Sequence, residues 1–251
     1  MREMVRAHIQ AYEILHTFSK NSECWVSLAH HMTAFSPCRK GFSLDPLSLF
    51  LREGFLNQLI LQSLLSGFLF YPGIFCEKLS AKKTLDFIGV NYYTRDFIRF
   101  DHWIGFRQFG TVCAKDHHEK EVACLNDLGW EVYPEGIRDV VSSLKRYRLP
   151  VIVTENGICT NDDRIRQRFI QEHMDELEKA RLDGVPVGGY FYWSLVDNFE
   201  WAEGFKPRFG IVEIDYATQK RNVRASAETL RKNCEKIFGP AREEQDARRT
   251  V

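Results

Sequence analysis

Residues 134–157 read PEGIRDVVSSLKRYRLPVIVTENG, and this stretch decides the fold. Pro134 suits the first turn of a helix, where a missing N–H leaves no bond unmade. Ile137, Val140, Val141, Leu144 and Tyr147 then recur at helical spacing and form one apolar stripe. Pro150 stops that helix, and Val151-Ile152-Val153 reads as a short buried strand. The same pattern follows again. Asn161 and Asp162 offer an N-cap, and Ile165, Phe169, Ile170, Met174 and Leu177 make a second stripe ending at Gly184. Val187 to Ser194 is another apolar strand. Helix, strand, helix, strand in this order predicts an α/β fold of parallel βα units rather than a sandwich or a bundle.

Upstream, residues 4–18 read as a helix with Val5, Ile9, Tyr12 and Leu15/His16 at helical spacing. A short strand is expected at Trp25 to Ala29 and a second helix over 45–67. LDFIGVNY (85–92) reads as a strand whose nearly unbroken apolar run fits burial on both faces. Residues 95–130 read as a long irregular stretch. The most apolar segment, Leu56 to Phe75, is interrupted by Gln58, Gln62, Ser63, Ser66, Gly67, Pro72 and Gly73, so it reads as buried helix and loop, not as a membrane span. The N-terminal MREMVRAHIQAYEIL is charged and amphipathic, with no secretory h-region. Residues 239–251, GPAREEQDARRTV, form a polar tail expected to fray.

The 251 residues match one (β/α)₈ barrel at ~250 residues. With 44% apolar and 13% aromatic residues the chain can build a sizeable core. Thirty-four basic and 34 acidic side chains cancel, which argues against a nucleic-acid or membrane-surface partner. Seven cysteines, an odd number with no C-x-x-C pair, predict reduced thiols in the cytoplasm and neither a disulfide framework nor a zinc site.

In parallel α/β folds, function gathers past the C-terminal ends of the strands. Three strand ends carry conspicuous residues. In VTENG (153–157), Glu155 directly follows an apolar strand, where a barrel mouth suits it better than the core; spacing alone reads it equally as a solvated loop glutamate. In NYYTR (91–95), Asn91 and Tyr93 point the same way by alternation and can hydrogen-bond one carboxylate. Such bonds to a charged group are worth about 1.5–3 kcal/mol each. By themselves the two tyrosines read as ordinary strand aromatics. In YFYWSLVDNFEW (190–201), two tryptophans and an acid stand at one strand end. Indole faces stack on the C–H faces of sugars and carboxylates accept paired hydroxyls; the alternative is a core-lining aromatic cluster. His30 and His31 lack further ligands at metal-binding spacing. Arg95 and Lys206 read as solvated rim residues, and Cys159 as incidental.

Taken together, LDFIGVNYYTR (85–95), GWEVYPEGI (129–137), VTENG (153–157) and YFYWSLVDNFEWAEGF with RFGIVEIDY (190–216) resemble the family 1 glycoside hydrolases, the β-glucosidase and β-galactosidase family. The region around Leu28-Ala29-His30-His31 and the helix before it are similar to the family's central part. The resemblance runs to about residue 238, so residues 1–238 are read as one unit followed by the tail. It implies a (β/α)₈ TIM barrel of which this chain represents strands five to eight. It also implies retaining hydrolysis of terminal β-D-glycosides by two carboxylates ~5–5.5 Å apart, with no cofactor and no metal. Carried over by motif, Glu155 is the nucleophile, and Tyr93 and Asn91 steer it. Trp193 is the stacking platform, Glu200 accepts the 4- and 6-hydroxyls, and Trp201 donates to the 3-hydroxyl. Phe209 closes that pocket, and Trp130 lines the leaving-group subsite. The acid–Trp pair of NFEW favours unphosphorylated sugars.

The family's general acid/base is a Glu in an Asn-Glu-Pro motif after the fourth barrel strand. No such tripeptide occurs here, and the only Glu beside a Pro, Glu135, lies on the wrong side of Pro134. The expected partners are therefore a β-glycoside or oligosaccharide substrate and a separate N-terminal half chain. The alternatives are a non-catalytic sugar-binding or complementing half-barrel, and an inactive truncated fragment. Such a half-barrel is expected to expose two sheet edges.

Overall fold

The computed structural model describes residues 1–19, 24–42, 44–71, 75–101 and 109–239. Helix α1 (Arg2–Phe18) leads to strand β1 (Ala29–Pro37). Helix α2 (Leu44–Glu53) and helix α3 (Leu59–Ser66) are joined by one wide π-helical turn, Gly54–Gln58. A small hairpin, β2 (Phe68–Tyr71) and β3 (Phe75–Lys78), precedes strand β4 (Ile88–Arg99) and the short β5 (Thr111–Val112). Helix α4 (Glu135–Leu144), strand β6 (Val151–Asn156), helix α5 (Asp163–Leu182) and strand β7 (Val187–Tyr192) follow. The hairpin β8 (Val212–Ile214) and β9 (Arg221–Val223) and helix α6 (Ala225–Phe238) complete the described chain.

Strands β1, β4, β6 and β7 form one sheet in chain order, every neighbouring pair parallel. This is four consecutive βα-type units, half the strand count of a closed (β/α)₈ barrel. β1 and β7 end the row. On β7 the side chain of Phe191 is 62% exposed.

The apolar stripes account for the layering. Ile137, Val141 and Leu144 of α4 and Ile170, Met174 and Leu177 of α5 are fully buried. They pack with Val151 and Val153 of β6 and Ile88, Val90 and Tyr92 of β4 in one core. Each such side chain contributes about 1.5–3 kcal/mol on burial. Alternation on β4 turns Ile88, Val90 and Tyr92 to the helices and leaves Asn91 and Tyr93 on the other face, half-buried. Close approach of α4 to β4 requires Gly136, where a Cβ would stand 2.0 Å from the Tyr92 hydroxyl. That hydroxyl donates to the Tyr133 carbonyl at 2.6 Å. Asp162 caps α5 by accepting from the Arg164 amide at 2.9 Å.

Four expectations need correction. The first strand lies at Ala29–Pro37, not at Trp25–Ala29. Its His30-His31 start interrupts the apolar run, yet the backbone pairs with β4 from Ala29↔Gly89 onward. β4 continues to Arg99, into the stretch read as irregular, because β5 pairs antiparallel with its end. Arg95 is not a rim residue: it is 8% exposed and forms a bidentate pair with Glu131, Nη2–Oε1 2.6 Å and Nε–Oε2 3.0 Å. Nor are all thiols reduced, since Cys38 and Cys113 form a disulfide. Their amides bond to the adjacent carbonyls of Ile98 and Phe97 at 2.8 Å each. β4 thus brings together two cysteines 75 positions apart, with Cα atoms 6.4 Å from one another. The tail beyond Gly239 and Pro72-Gly73 lie outside the described residues. Among the described residues, no helix is long and apolar enough to cross a membrane.

Candidate active site

The C-terminal ends of β4, β6 and β7 converge on Glu155. Asn91 of β4 is in register with Glu155 of β6. Tyr93 donates its hydroxyl hydrogen to Glu155 Oε2 at 2.7 Å. Burial pushes the Tyr93 phenol well above its ordinary range, and the bond to Glu155 and the charges of Glu155 and Glu200 push the same way. Asn91 is used differently from the expectation: its Oδ1 accepts from Thr154 Oγ1 at 2.6 Å, beside the carboxylate.

Aromatic rings wall the carboxylate. The Trp130 ring meets Tyr93 edge-on at 5.7 Å and lies 6.2 Å from Phe209, which is 3% exposed. His31 of β1 stacks on Tyr93 at 6.2 Å. Burial lowers the His31 pKa, against the opposing charges of Asp96 and Glu155, so the ring is neutral at pH 7.

Glu200 belongs to the same cluster. Burial raises its pKa and the Glu155 charge adds to the rise, while a hydrogen bond from Trp193 opposes it. Trp193 follows β7 directly, and its amide donates to the Asn156 carbonyl at 3.0 Å. Asn156 is tied in turn to the Tyr92 carbonyl at 2.8 Å and to the Tyr190 hydroxyl at 2.8 Å. The next residue must be glycine: a Cβ on Gly157 would stand 1.8 Å from the Trp193 carbonyl oxygen. Trp201 is 81% exposed on a short 3₁₀ turn with φ of 41°. The structure therefore gathers Glu155, Tyr93, Asn91, Trp130, Phe209, Trp193 and Glu200, and leaves Trp201 at the solvent. Lys206 is exposed, and Cys159 is buried, which pushes its thiol up.

Three supports escaped the sequence reading. Asn126 Oδ1 accepts from the amides of Leu128 and Trp130 at 2.9 Å each, which closes the turn carrying Trp130. Asp127 ties that turn to the loop after β6 through the Cys159 carbonyl and the Asn161 amide. Asp197 is 3% exposed and accepts from Arg224, Arg208 and the Gly210 amide, clamping segment 193–200. Burial alone would raise its pKa, but the Arg224 bonds, the Gly210 amide and the Arg224 charge outweigh burial and hold it low. The signal for Asp197 is an acid in an apolar strand exit with two arginines downstream.

The profile of glycosyl hydrolase family 1 matches residues 75–236. This chain belongs to that family. The β-galactosidase of Sulfolobus acidocaldarius is 32% identical over 227 residues, 89% of this chain and 45% of that protein. The β-galactosidase of Pyrococcus woesei is 41% identical over 146 residues, 54% of this chain and 29% of that protein. The solved β-glycosidase from Pyrococcus horikoshii superposes with a TM-score of 0.80 at 34% identity, covering 94% of this chain and 55% of that one. The family 1 chain thus spans about half the length of the relatives it matches. Its four parallel strands are a partial TIM barrel, and the Glu155 cluster lies within the matched region.

Proposed function

We propose that this family 1 chain supplies the nucleophile half of a retaining β-glycosidase, β-glucosidase-like and acting on terminal unphosphorylated sugars. The observation that carries the reading is the 2.7 Å bond from Tyr93 to Glu155 at a strand end lined by Trp130 and Phe209 and abutted by the Trp193 backbone. In the proposed first step an oxygen of Glu155 attacks the anomeric carbon. The bond to the leaving oxygen breaks, that oxygen takes a proton, and a glycosyl ester remains on Glu155. Water then hydrolyses the ester. The proton donor, which contributes ~10²–10⁴-fold in such reactions, comes from a segment outside these 251 residues, either a preceding stretch or a separate N-terminal half chain. Tyr93 orients the carboxylate, Trp193 stacks under the sugar, and Glu200 with Trp201 receives its hydroxyls. The proposed setting is cytoplasmic, which the five free cysteines favour and the Cys38–Cys113 disulfide opposes.

An activated 2-fluoro-glycoside needs no acid for departure, so it tests the nucleophile in this chain alone. Mass spectrometry is expected to find the adduct on Glu155. A folded sample labelled at another residue overturns the assignment. The clustering of Trp193 and Glu200 near Glu155 and the lack of an Asn-Glu-Pro motif favour a second reading, a sugar-binding or complementing half-barrel. Glucose binding by calorimetry without any adduct would select it.

A further inference from the structure

Beside the C-terminal part of β4, where the Cys38 and Cys113 amides bond the Ile98 and Phe97 carbonyls, three metal-ligating side chains converge. One ligand atom each from Cys38, Cys113 and His118 lies within 4.8 Å of the others. Cys113 is 7% and His118 5% exposed. The imidazole is held from two directions. Phe97 stacks face to face on it, centroids 3.7 Å apart and planes 6° from parallel. Glu121 Oε1 faces Nδ1 at 3.5 Å, and Glu121 is itself paired with Lys40 at 3.1 Å. The other nitrogen, Nε2, is buried and has no hydrogen-bond partner. A buried ring nitrogen without a partner costs free energy, and a structural role for the disulfide gives it no purpose.

We propose that, once the disulfide is reduced, Cys38, Cys113 and His118 bind one thiophilic cation, zinc by preference. The donor set fits: two thiolates and an imidazole suit Zn²⁺, which takes tetrahedral sulfur and nitrogen ligands. Tetrahedral zinc with ~2.3 Å bonds holds its sulfurs ~3.8 Å apart, a spacing that side-chain rotation provides across a 6.4 Å Cα separation. Nε2 becomes the ligand, and Nδ1–H donates to Glu121. This is the carboxylate–histidine–metal arrangement that fixes the ring of a ligating histidine. Water fills the fourth position. The chemistry balances through a thiol reductant. Two R–SH molecules give up their hydrogens to Cys38 and Cys113 and leave as R–S–S–R. Zn²⁺ then displaces two thiol protons. Oxidised and metal-bound forms exclude each other, since a disulfide sulfur carries no thiolate. The site is independent of the glycosidase reading.

The test reduces the full chain with a phosphine, removes the reductant, and titrates Co²⁺ without oxygen. One equivalent is expected to give a thiolate-to-cobalt charge-transfer band that Zn²⁺ abolishes by displacement. The oxidised chain should give none. Cys113→Ser should remove the band, and Glu121→Gln should weaken Co²⁺ binding ~10–100-fold. Alkylation mapped by mass spectrometry decides the matter in the unsubstituted chain should a variant fail to fold. Zinc is expected to protect Cys38 and Cys113 and to leave exposed Cys76 reactive. No band in the reduced chain, or protection that falls on other cysteines, overturns the proposal.

Discussion

The Tyr93 hydroxyl and the Glu155 carboxylate join β4 to β6 by one hydrogen bond of 2.7 Å. The donor cannot be lost to titration near neutrality, because burial and then the bonded carboxylate hold the phenol protonated. Removing it leaves Glu155 free to rotate away from the attack geometry and denies it a charge-assisted bond worth about 1.5–3 kcal/mol. Tyr93→Phe is therefore expected to slow labelling of Glu155 by a 2-fluoro-glycoside by roughly 10- to 150-fold, with the melting temperature little changed. A labelling rate within twofold of the parent chain would mean that the bond does not position the nucleophile.

Gly157 is fixed by a neighbour rather than by its own backbone. An alanine there would drive its Cβ to 1.8 Å from the Trp193 carbonyl oxygen, so the β6 and β7 exits must part. Overpacking of this kind costs about 1–3 kcal/mol, and the displaced element carries the sugar platform. Gly157→Ala is expected to lower stability by that amount in urea unfolding and to abolish glucose binding measured by calorimetry. Retention of binding at parental affinity would show that Trp193 is positioned by something else.

The helices and strands around these residues were legible because their periodicity reports burial: the stripes from Ile137 and from Ile165 each became a core helix. β1 was not, because its His30-His31 start masks the apolar run. Alternation gave only the common face of Asn91 and Tyr93; the pairing of Tyr93 with Glu155 was implied by the family resemblance, and the structure shows that hydrogen bond. Asn91 shares that face, yet its Oδ1 accepts from the hydroxyl of Thr154, one position from the carboxylate, a choice that alternation does not encode. The Cys38–Cys113 bridge and the Arg95–Glu131 pair join positions far apart in sequence, and no local pattern marks such partners.

Arg95 and Glu131 make a prediction opposite to that for a rim residue. The guanidinium is forked on a carboxylate that is 1% exposed and lies 3.9 Å from the centre of the Tyr133 ring. Taking away one partner of a buried pair costs about 3–5 kcal/mol when the other charge is stranded, but here Lys115, 3.7 Å from Glu131 Oε2, keeps that carboxylate partly paired. Arg95→Met is therefore expected to lose less than that, about 1–3 kcal/mol, in urea unfolding. The double variant Arg95→Met with Glu131→Leu should recover part of the loss. A single variant within about 0.5 kcal/mol of the parent would return Arg95 to the solvated surface.

Burial of His173 gives the fold a pH dependence of known sign. The ring is fully buried, stacks on Phe169 at 3.8 Å, and turns Nδ1 to the Phe169 carbonyl at 2.9 Å. Burial lowers its pKa from 6.5 to about 3, with the Phe169 bond opposing. Above pH 6.5 the ring is neutral in both folded and unfolded chains, and stability is intact. As pH falls below 6.5, the unfolded chain takes a proton that the folded chain refuses, so stability drops. The loss approaches about 1.4 kcal/mol per pH unit and ends only near the folded value. His173→Phe removes this term. Urea unfolding between about pH 4.5 and 6.5 is expected to show a steeper loss in the parent chain than in the variant. Parallel curves would mean that His173 is protonated inside the fold.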